Sequence, residues 1–392
     1  MTHFRSPRKS YTALSLFYFF DFASLGFFLP YFPLYLQKLQ MNKWEIGLLL
    51  SLLMIARVGI PVFWGRLSDQ TGKGYEILLT NAWLSSILLF FLYFKKSFWG
   101  IFVVLSFSMF FRTSLLPLTE AISMKLITFT KSSYGFIRVW GSLGFLSASL
   151  LGGALISYWG VRIVPTLLIC TFFVSAIAIT FLEKEEPEHA SPSISSWKNL
   201  LQYNFIIILT SGLLMQSSHS AYYEYFSIYM KQMGTSAWMI GILWAMAMAS
   251  EILMMLSWRK WDDLFSPYSI LCVSYVASIL RWMGLAYFTS FWSIGTLQLF
   301  HGLSFGTFHL ANIYWIKRNI PSADQSTAQA LYGSLVFGFG GVVGFLGAGR
   351  LTEFLNLSSI YIWSAAVAFL GFLIFSLGFK KHYFIDEEKL PI

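Results

Sequence analysis

The stretch WEIGLLLSLLMIARVGIPVFWGRLSD, residues 44–69, has a counterpart in WMIGILWAMAMASEILMMLSWRKWDD, residues 238–263, at an offset of 194 residues. Three matches share this offset: Trp44-x-Ile46-Gly47 with Trp238-x-Ile240-Gly241, Trp64 to Asp69 with Trp258 to Asp263, and Tyr31-Phe32-x-x-Tyr35 with Tyr225-Phe226-x-x-Tyr229. Aromatic residues are abundant in this chain, so one match would mean little, but three at one offset indicate an internal repeat. The sequence therefore predicts a duplicated unit of roughly half the chain.

The amino-acid composition indicates whether the chain folds in water or in a membrane. Of the 392 residues, 56% are hydrophobic and 11% are charged, and the mean hydropathy is +0.63. An ordinary soluble domain has about a quarter of its residues charged, so the chain is predicted to be an all-α membrane protein in a lipid bilayer. We assign its net charge of +9 to loop lysines and arginines rather than to nucleic-acid binding, which we do not expect.

Apolar runs predict the number of membrane crossings. A helix needs about 20 apolar residues to cross a hydrocarbon core of about 30 Å, because each residue rises about 1.5 Å. Twelve runs meet this length, at residues 11–36, 45–65, 75–94, 98–124, 134–157, 161–182, 203–230, 238–258, 268–289, 292–316, 326–349 and 357–379. We predict twelve transmembrane helices in two pseudo-symmetric six-helix bundles, 1–182 and 203–392, joined by a charged, Pro- and Ser-containing cytoplasmic linker over 183–202.

The distribution of lysine and arginine predicts the orientation. If the N-terminus is cytoplasmic, 16 of these residues lie on the cytoplasmic side and 7 on the other side, as the positive-inside rule requires. We therefore expect a multi-pass protein of the bacterial inner membrane with both termini and the linker in the cytoplasm, and we expect a monomer.

Ionisable side chains within the predicted spans mark the candidate site. Each costs about 2.5–3.5 kcal/mol near the membrane centre unless it has a partner or lines a water-filled cavity. These residues are Asp21, Arg57, Arg112, Glu120, Arg138, His219, Glu224, Glu251, Arg281, His301 and His309. Together with Tyr222, Tyr223 and Gln298, we interpret most of them as residues for substrate binding and proton coupling.

The first half of the chain contains two pairs of oppositely charged residues, and each pair has two interpretations. Glu120 and Arg138 should lie at similar depth on helices four and five, where they could bind substrate and open on protonation, or could brace the two helices. Arg112 lies near the middle of helix four, where it could bind an anion bidentately or act as a fixed counter-ion to Asp21.

The repeat exchanges Arg57 for Glu251, since these residues are 194 positions apart. We expect Glu251 to meet Arg138 when the cytoplasmic side closes. The alternative is a capped or solvated glutamate with no role in the cycle.

The spacing of polar residues predicts one polar face on helix seven and one on helix ten. His219, Tyr222 and Tyr223 lie at i, i+3 and i+4 on helix seven, and Gln298, His301 and His309 have near-helical spacing on helix ten. Because histidine titrates near neutral pH, His219 or His301 could relay protons or contact substrate; alternatively, each could bond only to a neighbouring helix.

Glu224 lies about 140° around helix seven from His219. It could carry the proton instead, or pair with Arg281. The spacing of eight residues between His301 and His309 does not favour a metal site, and we expect no metal and no cofactor.

Longer motifs resemble a known superfamily. WGRLSDQTGK, residues 64–73, resembles the loop between helices two and three of the major facilitator superfamily. The residues that fit are Gly65, Asp69, Gly72 and Lys73, whereas Gln70 stands where a basic residue is usual. PLTEA at 117–121, YGFIRVWGSLGF at 134–145 and SHSAYY at 218–223 resemble the phenylpropionic acid permease family of proton symporters. The resemblance implies alternating access, with proton symport and a gate that involves the loop motif and Arg57.

The sequence thus predicts a secondary transporter that moves a small organic solute, such as an aromatic or other organic acid, with protons. It lacks a Walker-type nucleotide-binding loop, so the energy should come from a gradient. Two alternatives stay open: an exporter or lipid-moving member of the same fold, and a membrane assembly factor or sensor without transport activity. An enzyme is not predicted, because paired catalytic aspartates and a His-Glu-x-x-His motif are missing from the sequence.

Overall fold

A computed structural model describes residues 6–130, 134–184, 200–321 and 324–380. These ranges form helices joined by short turns and contain no β-strand, which confirms the predicted all-α membrane fold. Most of the predicted linker, at 185–199, and most of the predicted cytoplasmic tail, at 381–392, lie outside the described residues.

The helices follow the predicted apolar runs, and several runs are interrupted. The first half contains α1 (Pro7–Lys38), α2 (Lys43–Arg57), α3 (Ile60–Thr71), α4 (Gly74–Phe90), α5 (Phe98–Arg112), α6 (Leu115–Thr130), α7 (Tyr134–Trp159) and α8 (Val164–Thr180). The second half contains α9 (Tyr203–Gln232), α10 (Ala237–Leu264), α11 (Pro267–Tyr287), α12 (Phe291–His301), α13 (Thr307–Asn319), α14 (Gln325–Tyr332), α15 (Gly340–Leu351) and α16 (Leu357–Gly378). Two π-helical turns, Gly302–Gly306 and Gly333–Phe339, connect α12 to α13 and α14 to α15.

Ten helical segments among the described residues are long and apolar enough to cross a membrane, so the protein is a multi-pass membrane protein. The helix α9 is 30 residues long, and the helix of residues 291–319 continues through its π turn. Neither is among the ten, and both carry buried polar side chains. The count of twelve spans stays a prediction.

Residue contacts divide the chain into two compact units. The first unit comprises Met1–Ser191 with Tyr223–Ala245, and the second comprises Pro192–Tyr222 with Met246–Ile392. The segment 223–245 includes the end of α9 and the start of α10, and we call it the 223–245 hairpin. This hairpin packs with helices of the first half of the chain. The division into bundles at 1–182 and 203–392 stays a prediction.

In the first unit, α1 and α7 approach each other closely at two glycines. A Cβ at Gly144 of α7 would overlap the main-chain oxygen of Phe19, and a Cβ at Gly26 of α1 would overlap the main-chain oxygen of Phe145. Small residues let membrane helices pack backbone to backbone, where van der Waals contact replaces the missing hydrophobic driving force. This packing fixes the part of α1 that carries Asp21.

The duplicated motifs contact each other within the first unit. Tyr225 donates a hydrogen bond from Oη to the main-chain oxygen of Lys43, at 2.8 Å, and lies against Gly47 of α2. Its counterpart Tyr31 donates to a main-chain oxygen of α7 and lies against Gly241 of α10. We call these two sites the tyrosine–glycine contacts. A Cβ at either glycine would crowd the tyrosine hydroxyl, so the repeat preserves the glycines that the contacts need.

In the second unit, α10 and α12 approach at the π turn. A Cβ at Gly302 would overlap the main-chain oxygen of Ser250, and the Gly302 amide donates to Ser250 Oγ at 2.9 Å. A π turn disturbs the helical hydrogen-bond ladder, so its amides need other partners. The serine on α10 supplies one and fixes α12 against α10 beside Glu251.

We expect Gly144→Ala to lower the melting temperature of the purified protein, because overpacking a tight contact costs about 1–3 kcal/mol. The control is Gly333→Ala: Gly333 has a helical φ of −60°, and a Cβ there meets no atom within 4 Å. It should melt at or slightly above the wild-type temperature, since alanine is the better helix former by about 1 kcal/mol. Thermal unfolding in detergent measures both variants. Equal melting temperatures for the two would contradict the close packing of α1 and α7.

Candidate functional site

A buried polar network occupies the second unit. It joins five side chains from four helices: Tyr222 of α9, Glu251 of α10, Arg281 of α11, and Gln298 and His301 of α12. All are buried, and Tyr222, Arg281 and Gln298 have no exposed surface. The structure therefore brings together five of the residues that the sequence proposed from separate helices.

Arg281 is the centre of this network. Its Nη2 donates to Gln298 Oε1 at 2.9 Å, and the Tyr222 hydroxyl donates to the same oxygen at 2.9 Å. The guanidinium lies over the rings of Tyr222, at 4.2 Å, and Trp282, at 4.7 Å. Aromatic faces attract cations and exclude water, so these rings help to hold a charge that lipid would not tolerate.

The position of the proton on His301 follows from its neighbours. Arg281 Nη1 lies 2.9 Å from His301 Nδ1, and a guanidinium can only donate. The Nδ1 atom therefore accepts, the imidazole is neutral, and its hydrogen is on Nε2. His301 Nε2 lies 3.4 Å from Glu251 Oε2. A neutral histidine thus lies between a fixed cation and a carboxylate.

His219 lies beside the network and packs against its aromatic wall. Its Nδ1 bonds to the main-chain oxygen of Met215 on its own helix, at 2.9 Å, and its ring lies edge-on to Trp282, at 4.9 Å. The His219 and His301 ring centroids are 6.2 Å apart. This backbone bond lies within α9, whereas the structural interpretation of His219 had a bond to a neighbouring helix, so that interpretation stays a prediction. A role in the proton relay stays a prediction.

The π turn sets the spacing of the rings on helices α12 and α13. His301 stacks on Phe305 at 5.3 Å with an interplanar angle of 7°, and Phe305 stacks on His309 at 6.4 Å. His309 in turn stacks on Tyr332, at 6.1 Å. The ring of Phe305 therefore lies between His301 and His309, so the two histidines do not share one site.

The first unit holds a second buried charge pair. Arg112 Nη2 lies 2.5 Å from Asp21 Oδ1, Arg112 Nη1 donates to Ser175 Oγ at 2.9 Å, and the guanidinium lies 3.9 Å above the ring of Phe172. Arg112 is also the last residue of α5, where the helix dipole favours a cation. This is the counter-ion arrangement that the sequence left open.

Arg138 has an aromatic neighbour where the sequence predicted an acidic one. Its guanidinium lies 4.1 Å from the ring centre of Phe22 and 5.7 Å from that of Tyr18. No ion pair between described residues joins Arg138 to Glu120. The ring contacts of Arg138 are with α1, and the Glu120–Arg138 pair stays a prediction. The proposed gate between Glu251 and Arg138 stays a prediction.

Glu224 lies in the 223–245 hairpin and is fully buried. Its carboxyl group packs against Gly47 of α2, in the first unit. Tyr223 stacks on Trp244 within the same hairpin, at 6.3 Å. These two residues therefore belong to the packing of the hairpin, and the alternative role of Glu224 as the partner of Arg281 has no support from these contacts.

The predicted gating residues lie at helix ends. Arg57 is the last residue of α2, and Gly72 ends α3 with a left-handed φ of +64°, a conformation that glycine adopts without strain. Gly65 and Asp69 are in α3, and Lys73 follows Gly72 before α4. The motif thus forms a helix end and a turn, as its glycines suggest, while its role in gating stays a prediction.

Sequence reasoning missed two groups of residues. Ser175 and Phe172 complete the Arg112 site, yet a serine and a phenylalanine in an apolar run give no signal of this kind. The tyrosine–glycine contacts were also missed, although their signal was present: Tyr31, Gly47 and Gly241 all lie in the repeated motifs. Tyr31 and Tyr225, and likewise Gly47 and Gly241, occupy equivalent positions in the two halves, so the duplication produces two equivalent contacts.

Comparisons with known proteins agree with this architecture. The profile described as MFS_1 like family matches residues 11–365. The chain is 26% identical over 375 residues to the uncharacterized transporter YwbF of Bacillus subtilis (strain 168), with 94% of each chain covered. It is 29% identical over 358 residues to the probable 3-phenylpropionic acid transporter of Escherichia coli (strain K12), with 88% of this chain and 91% of that one covered. The resemblance predicted from the motifs is confirmed.

A solved structure has the same fold. The crystal structure of a mutant of the nucleoside transporter NupG superposes with a TM-score of 0.83, covering 94% of this chain and all of that one. The sequences are 19% identical, so this likeness concerns the fold alone.

We expect Asp21→Asn and Arg112→Gln each to destabilise the protein strongly, because removal of one partner leaves a buried charge that costs about 3–5 kcal/mol. The double variant should recover part of the loss, since it leaves no charge unpaired. Thermal unfolding of the three variants in detergent measures this double-mutant cycle. Wild-type melting of both single variants, combined with loss of solute transport, would instead support anion binding by Arg112.

Proposed function

The chain belongs to the MFS_1 like family and is a secondary transporter of the major facilitator type, and we propose that it takes up a small organic acid in symport with protons. The observation that carries this proposal is the contact series Glu251–His301–Arg281. It offers a buried acid that can gain a proton, beside a fixed cation that can bind an anion.

The charges in this network link the two ligands. With Glu251 ionised, its negative charge balances the positive charge of Arg281 across the neutral His301. A proton on Glu251 leaves a net positive charge in a buried environment, where electrostatic energies are large. An organic anion beside Arg281 restores neutrality. Proton and anion therefore favour each other's binding, and this reciprocal coupling is the basis of symport.

The surroundings of Arg281 favour a substrate with a ring. Tyr222 and Trp282 lie on its guanidinium, and Phe305 stacks on His301. Aromatic side chains bind apolar rings through large contact areas, while a guanidinium binds carboxylates. The similarity to a probable 3-phenylpropionic acid transporter supports an aryl-substituted carboxylate as the first candidate.

We further propose alternating access by a monomer in the bacterial inner membrane, with both termini in the cytoplasm. The excess of lysine and arginine in the loops assigned to the cytoplasm supports this orientation. The repeat supports alternating access, because duplicated bundles in this class of protein can move around a site near the middle of the membrane.

Uptake into liposomes tests the function. Purified protein in liposomes with a more alkaline interior should accumulate labelled 3-phenylpropionate above the level in protein-free liposomes, which accounts for passive entry of the uncharged acid. A protonophore should abolish the difference, because it removes the gradient that drives accumulation. If a panel of aryl and aliphatic acids neither accumulates nor increases proton entry beyond the protein-free rate, proton symport of organic acids is wrong.

We expect Glu251→Gln to lose proton-driven accumulation by an order of magnitude or more, while it keeps exchange of labelled for unlabelled solute. Glutamine resembles the protonated acid, so the site can bind solute but cannot release a proton. The matched control is Glu353→Gln, in the exposed pair with Arg350, which should transport like the wild type. Accumulation by Glu251→Gln at the wild-type rate would exclude Glu251 as the proton carrier.

A further inference from the structure

Glu224 breaks the symmetry of the tyrosine–glycine contacts. The repeat matches Tyr225 with Tyr31 and Gly47 with Gly241, but at the position before the tyrosine it matches Glu224 with Pro30. Only one of these two contacts therefore carries a carboxyl group. An acid that the repeat does not require, in a place without exposed surface, calls for a function beyond packing.

The surroundings of Glu224 do not suit a carboxylate. No described residue donates a hydrogen bond to either carboxyl oxygen, and Oε1 fills the space beside Gly47 where a Cβ would otherwise lie. The groups that face it are Gly47 and the main-chain oxygen of Lys43 on α2, and Tyr225 on its own helix. Among the described residues, the titratable group beside the carboxyl is Tyr225, and no ion pair includes Glu224.

The hydroxyl of Tyr225 has an acceptor of its own. Its oxygen and Glu224 Oε1 both lie beside Gly47, and its hydrogen goes to the main-chain oxygen of Lys43 at 2.8 Å. Neither carboxyl oxygen of Glu224 has a hydrogen-bond partner among the described residues. Because burial without a donor penalises the charged form of a carboxyl group, the geometry fits a protonated Glu224.

We propose that Glu224 is a second proton-binding site, which holds a proton while the 223–245 hairpin is docked on α2 and releases it when the hairpin undocks. An ionised Glu224 in the docked position would be buried without a donor, which is costly. Undocking would expose it to water and remove that cost. Proton binding and hairpin docking thus stabilise each other, as linkage requires. The part of this proposal that concerns transport rests on the proposed function, since the hairpin then moves in each cycle.

Distance measurements on the purified protein test the docking. Spin labels at Lys38→Cys of α1 and Gln232→Cys of α9, both exposed in the wild type, report the separation of the hairpin from the first half, with Cys170 and Cys272 replaced by serine. In lipid nanodiscs without solute, raising the pH from about 5.5 to about 9 should shift the population from short to long distances, with a docked-to-undocked ratio that falls up to tenfold per pH unit.

Two variants separate Glu224 from the proton site at Glu251. Glu224→Gln should keep the short distance at every pH, because glutamine is never ionised, whereas Glu251→Gln should keep the wild-type pH response. A wild-type distance that does not change with pH would overturn the proposal, as would a pH response that survives Glu224→Gln. Both outcomes leave proton-driven uptake of organic acids untouched, so the proposed function would be judged separately.

A third variant keeps the test available if Glu224→Gln does not fold. Gly47→Ala puts a methyl group where the carboxyl group packs, so it should favour the long distance even at low pH. Gly333→Ala, in the second unit with no atom near its Cβ, is the matched control and should respond like the wild type. A short distance for Gly47→Ala at low pH would show that the carboxyl group does not occupy this contact and would overturn the proposal.

Discussion

Every charge that this chain carries into the membrane has to be neutralised by the protein itself. Lipid offers neither water nor counter-ions, so an unpaired guanidinium or carboxylate in a span is costly. The structure meets this constraint twice in similar ways. The Arg112 guanidinium contacts Asp21, Ser175 and the face of Phe172, and that of Arg281 contacts His301, Gln298 and two aromatic faces.

The two sites differ in how the arginine reaches its acid. Arg112 contacts its acid directly, whereas Arg281 reaches Glu251 through His301, and Glu251 is the acid that we propose to exchange a proton.

The duplication provides equivalent packing contacts, and the departures from it carry the residues that we propose for the function. Positions that match between the halves, such as Tyr31 with Tyr225 and Gly47 with Gly241, form equivalent packing contacts. Positions that differ carry the ionisable groups: the counterpart of Glu251 is Arg57, and the counterpart of Glu224 is Pro30. A symmetric pair of bundles could open and close without any driving force. The groups that we propose to bind protons are where the symmetry is broken, so proton binding there would favour one conformation over another.

The helices that carry the candidate site are irregular. The helix of residues 291–319 contains a π turn directly after His301, and α9 and this helix are too polar to be recognised as spans by hydropathy. Phe305 stacks on both His301 and His309, four residues away on either side, as neighbours on one helix face do. Such π turns often occur at functional sites. Here, the turn is held by the Ser250 hydroxyl, one residue before Glu251.

The sequence by itself determined the all-α membrane class, the duplication and the family, because composition, apolar run length and repeated motifs are properties of the chain alone. It also identified nearly all the ionisable residues of the two buried charge sites, since any charge in an apolar run stands out.

Only the tertiary structure decided the partners. Helical periodicity states which face a residue occupies, but not which neighbouring helix it meets or at what depth. For this reason Glu251, His301 and Arg281 could be named but not connected, and the packing of Arg138 on Phe22 was not foreseen. Glu224 shows the same limit: its burial against Gly47 depends on how the 223–245 hairpin packs on α2, which is a long-range contact that no local pattern encodes.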